Sequence, residues 1–134
     1  KINDTIVNFK GIIDRIDCRD GKLQIIDYKT GVVEEKDVKI SDWNDLITDI
    51  KYGKAFQLLT YAYMYQQKFK TEETMQVANL SFKRLQKNLI QFHTHFDKQK
   101  DYDVTPSVLS EYVTVTKKLL EKIFDTTIPF SEVI

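Results

Sequence analysis

The sequence predicts a mixed α/β or α+β domain in which a sheet is layered against helices. Three observations predict it. β-branched, apolar runs occur in pairs around turn signals. Two long stretches carry a helical period with no internal proline or glycine. The order along the chain is strand, strand, helix, strand, strand, helix.

Residues 5–17, TIVNFKGIIDRID, are rich in Ile, Val and Phe and lack a helix starter, so a strand is expected. Asp20-Gly21 is the strongest short hairpin signal available, because both residues tolerate the positive φ of a two-residue turn. Residues 22–30, KLQIIDYKT, form the returning strand, and Gly31 ends it. Residues 32–53 are mixed and acidic, with a short helix expected after Ser41 as N-cap. In residues 54–69, Ala55, Leu58, Leu59, Ala62, Tyr65 and Phe69 fall on one side of a helix. Residues 75–84 and 88–96 read as two strands joined by a turn near Gln86 to Asn88. Residues 107–124 form the last helix, with Val108, Leu109, Tyr112, Val115, Leu119, Leu120, Ile123 and Phe124 at helical spacing, and Pro106 suited to its first turn.

Composition narrows the class. The chain has 134 residues, the usual size of one domain, so residues 1–134 are expected to form a single unit. Its start at Lys1, already close to a strand-like run, leads us to expect that it is part of a longer protein. A hydrophobic share of 42% with 12% aromatic residues excludes a disordered chain. No apolar run approaches the ~18 residues that span a bilayer, and no signal-peptide pattern opens the chain, so no membrane partner is expected. Cys18 stands alone, which excludes a disulfide framework and an all-cysteine metal site and suits a reducing, cytoplasmic home. Twenty basic and 20 acidic residues cancel, so any nucleic-acid partner must be recognised by a local site.

The chemistry concentrates in residues 11–31, GIIDRIDCRDGKLQIIDYKTG. A two-residue turn at Asp20-Gly21 sets Arg19 opposite Lys22. The same register sets Asp14 opposite Asp27 and Ile12 opposite Lys29. Opposed residues share a face, with Cβ atoms about 4.5–5.5 Å apart. Leu23, Ile25, Asp27 and Lys29 then line one side, and Ile12, Asp14 and Ile16 line it from the first strand. Two carboxylates facing each other beside isoleucines repel, and burial adds to the cost. A hard divalent cation between them resolves the conflict, since oxygen ligands suit Mg²⁺. Lys29 lies close enough to meet an anionic substrate. A cation site with a fixed positive charge beside it suits phosphodiester hydrolysis. Taken alone, each residue reads more naturally as a solvated strand face, and a slip of one residue would separate the two acids. On the first long helix, Gln57 and Tyr61 are four apart and share a face, where they can hold a phosphate or brace the site.

Other features read more plainly. His93 and His95 alternate on a strand without a third ligand nearby, as on an ordinary exposed strand face. Lys83, Arg84 and Lys87 cluster at a turn, and Lys117, Lys118 and Lys122 on the last helix. Such clusters are usually solvated, and one of them is a candidate guide for DNA. Trp43 suits a packing anchor better than a base-stacking platform.

Together the motifs resemble the PD-(D/E)XK nuclease superfamily in its RecB/AddB-like branch. GIIDRID is similar to that branch's second motif, IIDYKTG to its third with the D-x-K core, and QLLTY, from Gln57 to Tyr61, to its fourth. They occur in the family's order over about residues 11–65. The resemblance implies a restriction-endonuclease-like α/β core, a central mixed sheet whose β-hairpin carries the active site, with flanking helices. It implies Asp14 and Asp27 as metal-binding acids, the backbone carbonyl of Tyr28 as a further ligand, and Lys29 as the catalytic lysine. Gln57 and Tyr61 would contact DNA or support the site. The implied cofactor is Mg²⁺ or Mn²⁺, the substrate DNA, and the context a helicase–nuclease of recombinational repair. The family's first motif, on a helix before the first strand, has no counterpart here. Many relatives carry an iron–sulfur cluster, but Cys18 matches none of its cysteine positions, so no cluster is expected in this stretch. The rival expectation is a non-cleaving DNA-binding or scaffolding module that keeps the fold.

Overall fold

Asp20 and Gly21 both adopt positive φ, 52° and 75°. That is the backbone of a tight turn matching the right-handed twist of its flanking strands. It joins β1 (Arg15–Arg19) to β2 (Lys22–Lys29) in the expected antiparallel register, from Arg19 opposite Lys22 to Arg15 opposite Ile26. The computed structural model describes residues 11–83 and 86–124, with side chains at 83, 86 and 87 left aside. Residues 5–10 of the expected first strand therefore lie outside the described residues. Its middle differs from expectation. The ladder ends at Arg15 and the backbone bends at Asp14. Ile12 is consequently 83% exposed rather than on the inner face opposite Lys29, while Ile13 packs on the core.

The acidic stretch after Gly31 forms a 3₁₀ turn at Glu35–Val38 and the two-residue β3 (Lys39–Ile40). It continues through α1 (Asp45–Thr48) and a second 3₁₀ turn at Ile50–Tyr52. Asn44, not Ser41, precedes α1 as its cap residue. Trp43 is partly buried, packs against the core and stacks on Phe96 with ring centroids 6.4 Å apart, as a packing anchor should. Next comes α2 (Gly53–Phe69), which closes with Lys70 in the left-handed conformation. Ala55, Leu58, Leu59 and Ala62 are fully buried, as their spacing predicts. Phe69, expected on the same side, is 56% exposed at the helix end, with its ring tilted against Tyr65 and beneath the Lys68 ammonium group.

Beyond α2, β4 (Met75–Lys83) returns parallel to β2, and β5 (Gln86–Gln91) pairs antiparallel with β4. Gln86 to Asn88, expected to turn, are in β5 itself. The result is a mixed four-stranded sheet in the order β1-β2-β4-β5. A parallel neighbour requires a crossover, and α2 supplies it. The expected strand over residues 88–96 is two strands. Phe92 donates to Val77 O at 2.9 Å, and the chain then leaves for a second sheet. There β6 (His93–Phe96) lies between β3 and β7 (Gln99–Asp101). α3 (Pro106–Phe124) begins with proline at its first position, and Thr105 Oγ1 accepts from Val108 N. Leu109, Tyr112 and Val115 are buried, whereas Ile123 and Phe124 are 42% and 48% exposed, against expectation.

The core lies between α2 and one face of the four-stranded sheet, where Ile25, Met75 and Val77 meet Leu58, Leu59 and Ala62. α3 joins it through Tyr112, whose ring packs on Phe56 and Tyr63 and whose hydroxyl meets Thr60 Oγ1 at 2.8 Å. No described helix is long and apolar enough to cross a membrane.

Candidate active site

The site forms where β2 runs out under α2. On that face Ile25 belongs to the apolar core, and the next residue of the same parity, Asp27, is only 4% exposed. Lys29 follows, again in phase. Across the hairpin Asp14 sits one step beyond the ladder. Its side chain replaces a ladder bond: Tyr28 N donates to Asp14 Oδ2 at 2.8 Å. The bend at Asp14 therefore keeps the acid beside Asp27 although regular pairing has ended. The two carboxyl groups act directly on each other, and the Asp27 carboxyl is held above the usual carboxylate range. Burial is the main cause, and the Asp14 carboxyl adds to it, while Lys29 pulls the other way.

Lys29 Nζ lies 2.9 Å from Asp27 Oδ2 and donates to Gln57 Oε1 at 2.6 Å. Gln57 Nε2 donates in turn to Tyr61 Oη at 3.0 Å. The expected i, i+4 pair on α2 thus acts as a bracket: Tyr61 holds Gln57, and Gln57 holds the ammonium group. Gly11 explains how the hairpin can reach that helix. A Cβ there would stand 3.0 Å from Tyr61 Cε1, so the chain crosses the ring at a distance that glycine tolerates best. Just past Lys29, Ser81 Oγ donates to Gly31 O at 2.6 Å and pins the exit of β2 to β4. The remaining charged positions of GIIDRID have a plainer role. Arg15 and Asp17 pair at 2.8 Å on the opposite face.

The donor set suits a hard cation. Asp27 Oδ2 is buried and, despite its closeness to Lys29, makes no aligned hydrogen bond with any described residue. An anionic oxygen left so, facing a second carboxylate, is the arrangement a divalent ion would relieve. Among the described residues no cluster of three or more His, Cys, Asp or Glu side chains surrounds it. Within the described residues, any third protein ligand would be a neutral oxygen, the role expected of the Tyr28 carbonyl.

Several expectations change. His93, expected on an exposed face, is fully buried. Its ring packs on Tyr102 at 5.3 Å and its Nε2 lies 3.5 Å from Glu35 Oε1. Its strand is central in the small sheet, which covers it. Lys117, Lys118 and Lys122 are exposed on α3. The side chains of Lys83, Arg84 and Lys87 lie outside the described residues. Asn79 escaped the sequence reading. It is the β4 partner of Asp27 and is completely buried. Its signal was present: in MQVANLSFK it falls in phase with Met75 and Val77, so a polar residue stands where the core face should continue.

A family model for the PD-(D/E)XK nuclease superfamily matches residues 2–133. No curated protein and no solved structure matches the chain. The mixed sheet, its flanking helices and the match over nearly the whole length agree: the chain belongs to the PD-(D/E)XK nuclease superfamily.

Proposed function

We propose that this domain hydrolyses DNA phosphodiester bonds with Mg²⁺ or Mn²⁺ held by Asp14, Asp27 and the carbonyl of Tyr28. The observation that carries the reading is the joining of an opposed carboxylate pair to a bracketed lysine at one end of β2. The ion, when bound, would polarise the phosphate and lower the pKa of an attacking water. Lys29, fixed by Gln57, presents its charge to the phosphate oxygens as negative charge builds up on them. Tyr61 keeps Gln57 from turning away, so the ammonium group enters the reaction already oriented. Water adds to phosphorus, the ester oxygen leaves, and the products are a phosphate monoester and a hydroxyl end.

The order and wording of GIIDRID, IIDYKTG and QLLTY support a place in the RecB/AddB-like branch. That resemblance in turn implies a role beside a helicase in recombinational repair, and the lone Cys18 suits a reducing, cytoplasmic home. The test is cleavage of DNA by the intact protein with Mg²⁺ or Mn²⁺, beside Lys29→Ala and Asp27→Ala. Both variants should lose about 100-fold or more. Equal cleavage by Lys29→Ala overturns the assigned role. DNA binding by the wild type without cleavage, unaffected by either substitution, would favour a scaffolding module instead.

A further inference from the structure

Asn79 is fully buried in the middle of β4, and neither its Nδ2 nor its Oδ1 has a hydrogen-bond partner among the described residues. Buried side-chain amides are nearly always satisfied, so an amide with both ends unpaired needs a reason. Its place supplies one. Asp27 and Asn79 are register partners on parallel strands. Their side chains leave the same face of strands about 4.8 Å apart. Asp27 Oδ2 is likewise buried without an aligned hydrogen bond. Two unpaired amide hydrogens thus stand beside a carboxylate oxygen whose close contact is the Lys29 ammonium group at 2.9 Å.

We infer that Asn79 is a positioning residue for Asp27: in the metal-loaded site its amide N–H donates to the Asp27 carboxylate and fixes the plane in which that group faces Asp14. The inference rests on the reading of Asp14 and Asp27 as a cation site. The geometry favours this role over a purely structural one. An amide that only filled space would be replaced without loss by leucine, which has nearly its shape and fits the Met75 and Val77 side of the strand. Lys29 Nζ also lies 2.9 Å from Asp27 Oδ2, but it is held from α2 through Gln57, whereas Asn79 stands on the neighbouring strand and can fix the carboxylate from within the sheet. Outer-sphere hydrogen bonds that orient a metal-binding side chain commonly govern affinity by 10–100-fold.

The experiment is calorimetric titration of the intact wild type, Asp27→Asn, Asn79→Leu and Asn79→Ser with Mn²⁺ alone, with the thermal midpoint of each metal-free protein as the second readout. Asn79→Leu should bind Mn²⁺ about 10–100-fold more weakly. Its metal-free midpoint should match or exceed that of the wild type, since two unpaired buried polar atoms are gone. Asn79→Ser, whose shorter hydroxyl falls short of Asp27, should lose affinity similarly and decides the matter if the leucine variant does not fold. Mn²⁺ binding by the wild type that is lost in Asp27→Asn but unchanged in the folded Asn79 variants overturns this inference alone. A wild type that binds no Mn²⁺, or an Asp27→Asn variant that binds as well as the wild type, overturns both it and the cation site.

Discussion

Replacing Lys29 by methionine keeps the stem of the side chain and removes its charge. Two contacts are lost, the 2.6 Å bond to Gln57 Oε1 and the 2.9 Å approach to Asp27 Oδ2. Losing the first, at a half-buried amide, costs about 1 kcal/mol. The second leaves a carboxylate with a 6%-exposed side chain without its counter-charge. For ionised Asp27 that costs a further ~1–2 kcal/mol. With an unfolding entropy of about 2.1 cal/mol/K per residue, each kcal/mol moves the midpoint of a chain this size by about 3–4 °C. A fall of roughly 7–10 °C is therefore expected near neutral pH. The sign of its pH dependence follows from Asp27. In the folded chain its carboxyl is held above the usual range, so the folded state keeps a proton that the unfolded state releases. Stability falls as pH rises from the ordinary carboxylate value to the raised one. Lys29 opposes that rise, so removing it widens the window. At about pH 3 and below, Asp27 is largely neutral in both states and only the Gln57 contact is missed. The fall should shrink there to about 3–4 °C. Scanning calorimetry of both metal-free proteins across that range decides it. A fall of equal size at both ends, or none near neutrality, refutes the reasoning.

Three further outcomes are expected. Gln57→Ala frees the ammonium group from α2 and should slow cleavage about 10–100-fold with the fold intact by circular dichroism; unchanged turnover would remove Gln57 from the site. Gly11→Ala pushes a methyl group to 3.0 Å from the Tyr61 ring. Strain of about 1 kcal/mol is largely offset by lost freedom of the unfolded chain, so the midpoint stays within about 3 °C while cleavage falls; the reverse pattern contradicts the bracket. Neutralising Lys117, Lys118 and Lys122 together should lower the salt slope of DNA binding by up to about 3 if α3 guides DNA, and an unchanged slope rejects that role.

The hairpin and both long helices were legible because each is specified locally. Asp20 and Gly21 take the two positive φ values that their type allows, and this fixes the register of every pair behind them. Leu58 and Leu59 mark the inner face of α2 on their own. The small sheet was not legible for the opposite reason. β3 has two residues and β7 three, too few to show a period, and they exist only through partners distant in sequence. The turn joining β6 to β7 is formed by Asp97 and Lys98 at φ 51° and 62°, with no glycine to announce it. Alternation of residue types runs straight through Phe92, so nothing local marks the change of sheet. At the candidate site, the grouping of Asp14, Asp27, Lys29, Gln57 and Tyr61 could be read, and so could the closeness of the two acids. The bend that exposes Ile12 could not, because it depends on one side chain capturing the Tyr28 amide.

That capture divides the acidic pair between two levels of protection. Asp27 belongs to a strand flanked on both sides and is as secure as the sheet itself. Among the described residues, Asp14 is held by hydrogen bond only through the proton of one peptide group at the rim, that of Tyr28. Its release would leave every ladder bond of the hairpin intact. Deuterium uptake at that one nitrogen is thus a direct gauge of whether the acidic pair is closed, separable from any measure of global unfolding, and an ion that bridges the two acids should slow it selectively.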